Sequence, residues 1–129
     1  MFFDRVGRYW PEALSIVRIV VGLLFLEHGT SKLFGFPTPA MAQPAMWSLI
    51  WVQGVIEVAG GALFTVGLFT RCVAFVLAGD MAFAYFMAHA PKSFFPLLNG
   101  GDAAVLYCFI FLLYFVTGPG RWAVSGTTK

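Results

Sequence analysis

Polar residues are sparse along this chain, and they divide it into four apolar stretches, about 12–33, 47–68, 72–90 and 102–117, separated by Gly and Pro clusters. About 20 helical residues span about 30 Å of hydrocarbon, so each stretch is long enough to cross a bilayer, although the fourth is short. A soluble bundle would carry a polar face on every helix, and the third and fourth stretches have almost none. The pattern predicts an all-α transmembrane four-helix bundle, one domain over residues 1–129. Its connections differ in kind. FGFPTPAMAQPAMW and APKSFFPLLNGG are long and Pro-rich, whereas residues 69–71 make a tight turn, so the second and third helices should form a close hairpin.

Composition agrees: 60% of residues are hydrophobic and 11% charged, against about 25% charged in an average globular domain. The net charge of +2 is too small and scattered for a nucleic-acid surface, which leaves the lipid bilayer as the evident partner. Arg5, Arg8, Arg71, Arg121 and Lys129 fall on one side of the predicted bundle and only Lys32 and Lys92 on the other. The positive-inside rule therefore puts both the N- and C-termini in the cytoplasm. Tryptophan, which prefers the headgroup level, fits that topology, with Trp10 and Trp122 at the inner boundary and Trp47 and Trp51 at the outer one. Arg5 and Arg8 before an apolar run look superficially like a signal peptide. Arg18 interrupts that run, however, and no small-x-small site follows closely, so the first stretch reads as a retained span.

Cys72 and Cys108 fall at different depths and read as packing residues, not as a disulfide. Glycines recur two helical turns apart, as Gly22 and Gly29, Gly54 and Gly61, and Gly60 and Gly67. In lipid, where helices associate by close packing, such stripes mark contact faces. The first two helices are expected to pack along them, and the same faces would serve a homodimer.

The charges inside the apolar stretches carry the candidate chemistry. Arg18, Gly22, Phe25, Gly29 and Lys32 share one stripe of the first helix, with His28 beside it and Glu27 farther round. Gln53, Gly54, Glu57, Gly60 and Gly61 share a stripe on the second helix, and Asp80, Ala84 and Ala88 on the third. A rise of about 1.5 Å per residue puts Arg18, Asp80 and Glu57 about 9 to 16 Å above the inner boundary. On that rise Glu27, His28 and His89 lie at about 22 to 27 Å, and Lys32, Lys92 and Asp102 near the outer surface.

Arg18, Glu57 and Asp80 thus form an intramembrane charge network, in which the expected bridge joins Arg18 to Asp80 and leaves Glu57 to exchange a proton. Charges at that depth are costly unless paired or used, so the network is either a structural ion pair or a site for protons or an anionic ligand. The outer group of Glu27, His28, Lys32 and His89 mixes acids and bases beneath the two long loops. A titrating histidine beside a carboxylate suits a quinone head group, whose redox change needs protons delivered to its oxygens. Phe94, Phe95, Leu97 and Leu98 in the third connection would dip into the interface or lid the bundle. His28 and His89 could instead clasp a haem iron, but two histidines alone do not specify one. Zinc lacks any tight His/Cys spacing, and no metal site is assigned.

The ordered motifs R-x3-G-x2-F-x2-H-G-x2-K from Arg18, E-x2-G-G from Glu57, G-L-F-T-R from Gly67, N-G-G-D-x-A from Asn99 and G-P-G-R-W from Gly118 resemble the DoxX family of small four-span bacterial membrane proteins. The resemblance covers nearly the whole chain. It departs at Asp102, where the family commonly has glutamate, and at GPGRWAVSG, which lacks the last acid of the family's G-P-G-x2-S-L-D ending; no role is carried over for that acid. The resemblance implies a multi-pass protein of the bacterial plasma (inner) membrane and a link to redox metabolism. The family is named for a relative of a thiosulfate:quinone oxidoreductase subunit, and other members are associated with complexes handling oxidative or thiol stress. A direct thiol mechanism fits poorly, because neither cysteine has a resolving partner.

Two functional expectations follow. In the first, the chain is a redox-associated subunit, working with redox partner proteins as part of a quinone-linked oxidoreductase. It binds quinone or a related small molecule at Glu27, His28, Lys32 and His89: a histidine exchanges protons, Glu27 sets its charge, and Lys32 holds an anionic group. In the second, it is a non-enzymatic membrane scaffold or assembly factor for a partner complex, and its polar residues only hold structure together.

Overall fold

The computed structural model describes residues 1–38 and 44–125. Residues 39–43 of the first Pro-rich connection, and 126–129 with Lys129, lie outside the described residues. Among those described, every regular element is helical: α1 (Phe2–Gly7), α2 (Trp10–Phe34), α3 (Leu49–Val66), α4 (Thr70–Ala84), α5 (Pro96–Asn99) and α6 (Asp102–Thr117). The four long helices are those read from the apolar stretches. The short α1 and α5 carry no periodic signal of their own and were not expected.

Local chemistry sets the ends. Pro11 in the first turn of α2 lacks an N–H that would have no intrahelical partner there. The Ser48 hydroxyl caps α3 by accepting from Trp51 N at 3.3 Å. Gly35 and Gly67 close α2 and α3 in left-handed conformation, at φ +68° and +77°. Beyond Ala84, α4 widens into a π-helical turn (Tyr85–His89) and then tightens into a 3-10 turn (Ala90–Lys92). Trp10–Phe34, Leu49–Val66 and the continuous Thr70–Lys92 are long and apolar enough to cross a membrane. The apolar α6 is shorter, with 16 residues covering about 24 Å.

Helices α2 and α3 lie antiparallel, and the glycine stripes form their contact face. Gly29 abuts the Val58 backbone, Gly22 meets Thr65, Gly61 meets Leu26 and Gly54 meets Leu33. The faces that would have served a homodimer are therefore occupied within the chain. A Cβ on Gly29 would stand 2.8 Å from the Val58 nitrogen, and backbone cannot rotate away as a side chain can. Gly29→Ala should lower stability by about 1 to 3 kcal/mol, seen as a lower unfolding temperature in detergent; an unchanged midpoint would contradict this packing.

The second extensive contact is between α4 and α6. The two pairs are joined through aromatic rings: Phe111 sits edge-on to both Phe25 and Phe64 at 5.0 Å, and Phe64 meets Tyr114 at 5.1 Å. All four side chains are buried. The α3–α4 turn is tight as expected, but these two helices pack less extensively than the other pairs, so the hairpin is not close along its length. Gly60 lets α3 approach Leu77 of α4, whereas farther on the seam carries Gln53 and Asp80, which are too large for glycine-like approach.

The tail after α6 folds back over the end of the bundle where α2 begins and α3 ends. Its backbone N–H groups at Arg121, Val124 and Ser125 donate to the carbonyls of Pro11, Val66 and Gly67, at 3.1, 3.1 and 3.2 Å. Gly120, at φ +85°, passes so close to Pro11 and Ser15 that a side chain has no room. The G-P-G-R-W motif is thus a lash tying the start of α2 to the end of α3, reinforced by an Arg121–Glu12 ion pair at 2.9 Å.

Candidate functional site

Arg18 belongs to that lash, and the expected Arg18–Asp80 bridge is not formed. The guanidinium is 1% exposed and donates to the carbonyls of Thr65, Pro119 and Trp122. Among the described residues no carboxylate lies within ion-pair distance of it. Its charge is satisfied by carbonyl dipoles at the end of α3 and in the tail, which lie nearer than any acid of the bundle.

The other charges gather at the opposite end, around a cavity of about 410 Å³ enclosed by all four long helices. His28 and Lys32 come from α2, Gln53 and Glu57 from α3, His89 from the π turn and Tyr107 from α6. Phe25 of the aromatic cluster also lines it. Lys32 Nζ donates to Glu57 Oε1 at 2.8 Å and to Gln53 Oε1 at 3.1 Å. The two predicted layers thus merge: Glu57 pairs with Lys32 because the lysine's four-carbon chain reaches about one turn inward instead of out to the surface. Gln53, its amide oxygen turned to Lys32, also lines a recess with Asp80 of α4. Asp80 accordingly sits with Lys32, Gln53 and Glu57, and not with Arg18.

Glu57 is 1% exposed and its Oε2 has no hydrogen-bond partner; Asp80 Oδ2 is likewise buried and unpartnered. Buried polar atoms are nearly always paired, so two such oxygens in one cluster mark a place where a donor can be received. Each histidine is oriented by backbone. His28 Nδ1 lies 3.0 Å from the Leu24 carbonyl and His89 Nδ1 3.0 Å from that of Asn99. A carbonyl can only accept, so each Nδ1 carries a proton and each Nε2 is the ring nitrogen free to meet a ligand.

The π turn contributes here, because its extra residue per turn shifts the register that an α-helix would have given His89. Asn99 fixes the neighbouring loop. Buried, it donates from Nδ2 to Tyr85 Oη at 3.1 Å and to the Ser93 carbonyl at 3.0 Å, and accepts from Gly101 N at 2.8 Å. This explains the N-G-G turn chemically: an amide can serve donors and acceptors at once, and Gly101 must pass against the Tyr85 ring.

Of the four residues expected at the site, His28, Lys32 and His89 line the cavity. Glu27 does not. It is exposed and, with Ser31 and Thr38, lines an adjoining shallow hollow of about 210 Å³ that His28 and Lys32 also line. The acid that lines the central cavity is Glu57. Tyr107, whose ring lies 5.7 Å from that of His28, and Asn99 were not foreseen; the first stands in a stretch that reads as uniformly apolar, the second in a turn motif. Phe94, Phe95, Leu97 and Leu98 are strongly exposed and none lines the cavity, so they form no lid. Cys108 packs against the core, while Cys72 is exposed on the surface; neither is in a disulfide.

Apolar helices long enough to span a bilayer, packed around a cavity that gathers charged side chains at one end, define a helical membrane protein. The DoxX family pattern matches residues 13–90, and the chain belongs to the DoxX family. That match takes in the motifs from Arg18 to Arg71, while N-G-G-D and G-P-G-R-W lie beyond it. An uncharacterised protein of Haemophilus influenzae is 40% identical over 95% of both chains. An uncharacterised membrane protein of Mycobacterium tuberculosis is 29% identical over 89% of this chain and 80% of its own. No solved structure matches.

Proposed function

We propose that the cavity binds the head group of a quinone or a related small redox molecule, and that the chain is a membrane subunit of a redox system. The observation that carries this reading is the Glu57 carboxylate: buried, held on one oxygen by Lys32, and unpartnered on the other at a cavity wall. A quinol hydroxyl can donate to that oxygen or to a histidine Nε2, and a quinone carbonyl can accept from Lys32. One wall therefore recognises both redox states, and Glu57, His28 and His89 are groups able to exchange the protons that separate them. The volume lies within the range of small-molecule sites.

The reading places the bundle in the bacterial inner membrane as four spans with cytoplasmic termini, supported by the Lys/Arg distribution and by tryptophans at both ends. The cavity then opens toward the outer face.

The test is to purify the chain in mild detergent and identify co-purifying quinones by mass spectrometry, beside a His28→Ala/His89→Ala variant of equal stability. Quinone retained by the parent and lost from the variant is the expected result. Equal retention, or none in either, would overturn the site and favour a scaffold.

A further inference from the structure

A second recess runs along the outside of the α3–α4 seam, in two parts that share Ile56 and Val76. The longer part, about 420 Å³, is walled almost wholly by apolar side chains, with Ala59 and Gly60 leaving room on α3 and Leu63 and Phe69 at its end. The shorter, about 200 Å³, reaches Gln53 and Asp80. Gln53 also lines the central cavity, so one amide separates the polar chamber from an apolar groove on the outside of the bundle.

We infer that this groove holds the hydrocarbon tail of an amphiphile whose head occupies the central cavity, and that the ligand enters laterally between α3 and α4. The inference rests on the reading of the cavity as a head-group site. Three observations carry it. The groove is almost wholly apolar whereas the cavity wall carries His28, Lys32, Gln53, Glu57 and His89, the division between tail and head that an isoprenoid or alkyl quinone has within itself. The seam between them is the loosest contact between consecutive long helices, and at Gln53, which lines both spaces, it is closed by a single side chain that can move without exposing a packed core. Asp80 Oδ2, buried and unpartnered at the mouth, offers an entering hydroxyl its first acceptor. From Gln53 to Leu63 the groove follows about 15 Å of helix, so the tail lies parallel to α3 and points toward the end where α2 begins.

The occupant is distinguished from ordinary bilayer lipid with the full chain in nanodiscs and two photoreactive probes, a quinone with a diazirine in its alkyl tail and a phosphatidylcholine with the same diazirine in an acyl chain. Adducts are mapped by mass spectrometry, with and without a tail-less quinone as competitor, whose own binding is measured separately. The expected result is quinone-tail labelling within residues 56–77 that falls about tenfold at a competitor concentration about ten times its Kd, while phosphatidylcholine labelling there stays low. If the tail-less quinone binds but both probes label the groove alike, unmoved by competitor, the groove is a bulk lipid contact and the inference fails while the cavity reading stands. If the tail-less quinone does not bind, both fail.

Discussion

Arg18→Ala should leave little folded protein. The substitution removes the donor shared by the Thr65, Pro119 and Trp122 carbonyls and empties a site that is 1% exposed. Hydrogen bonds from a charged group contribute about 1.5 to 3 kcal/mol each, and the carbonyls would be left unpaired in a buried site. Against a typical total of about 5 to 15 kcal/mol, the tail should detach and α2 and α3 lose their common anchor. Arg18→Lys should be intermediate, because one ammonium cannot present the planar fork that reaches three acceptors in different directions. Size-exclusion yield and thermal unfolding in detergent measure both. Normal yield and melting for the alanine variant would mean that the lash holds without its arginine.

Glu57→Gln should leave the fold in place and weaken quinone binding by at least about tenfold, which corresponds to about 1.4 kcal/mol. The amide has the shape of the carboxylate but cannot offer two charged acceptor oxygens. The pair with Lys32 makes the distinction from a structural role possible. Glu57→Leu leaves the lysine without its counterion, a loss moderated because Lys32 is 19% exposed. The double variant Lys32→Met/Glu57→Leu removes both charges, and replacing a buried pair by apolar residues is often neutral or stabilising. Thermal stability should therefore recover in the double variant while quinone retention does not. Recovery of both would reduce the pair to packing.

The sequence was most informative where the signal is local and periodic. Helix positions follow from the Gly and Pro breaks, and the α2–α3 interface follows from glycines two turns apart, because only close approach needs them. His28, Lys32 and His89 were legible as one group since each is a polar residue at the same end of an apolar helix. What escaped the reading has physical reasons. The partners of Arg18 are backbone carbonyls of a distant tail, and a carbonyl has no identity in sequence. Height counted along a helix axis treats a side chain as a point, so Lys32 looked too far out to meet Glu57, and its reach was missed. Glu27 lies one residue from His28, and the intervening turn of about 100° was enough to take it off the cavity. The π turn that repositions His89 has no signature that period alone reveals.

The ring cluster of Phe25, Phe64, Phe111 and Tyr114 bears on bioenergetics. It closes the bundle between Glu57 and the end where α2 begins: the rings of Phe25, Phe64 and Phe111 carry no group to pass a proton, and the Tyr114 hydroxyl beyond them donates to the Leu14 carbonyl. On the proposed function, a proton taken up at Glu57 would then leave on the side from which it came. Turnover at the cavity would be electrically silent across the bilayer, drawing on the pH of one compartment and indifferent to the membrane potential.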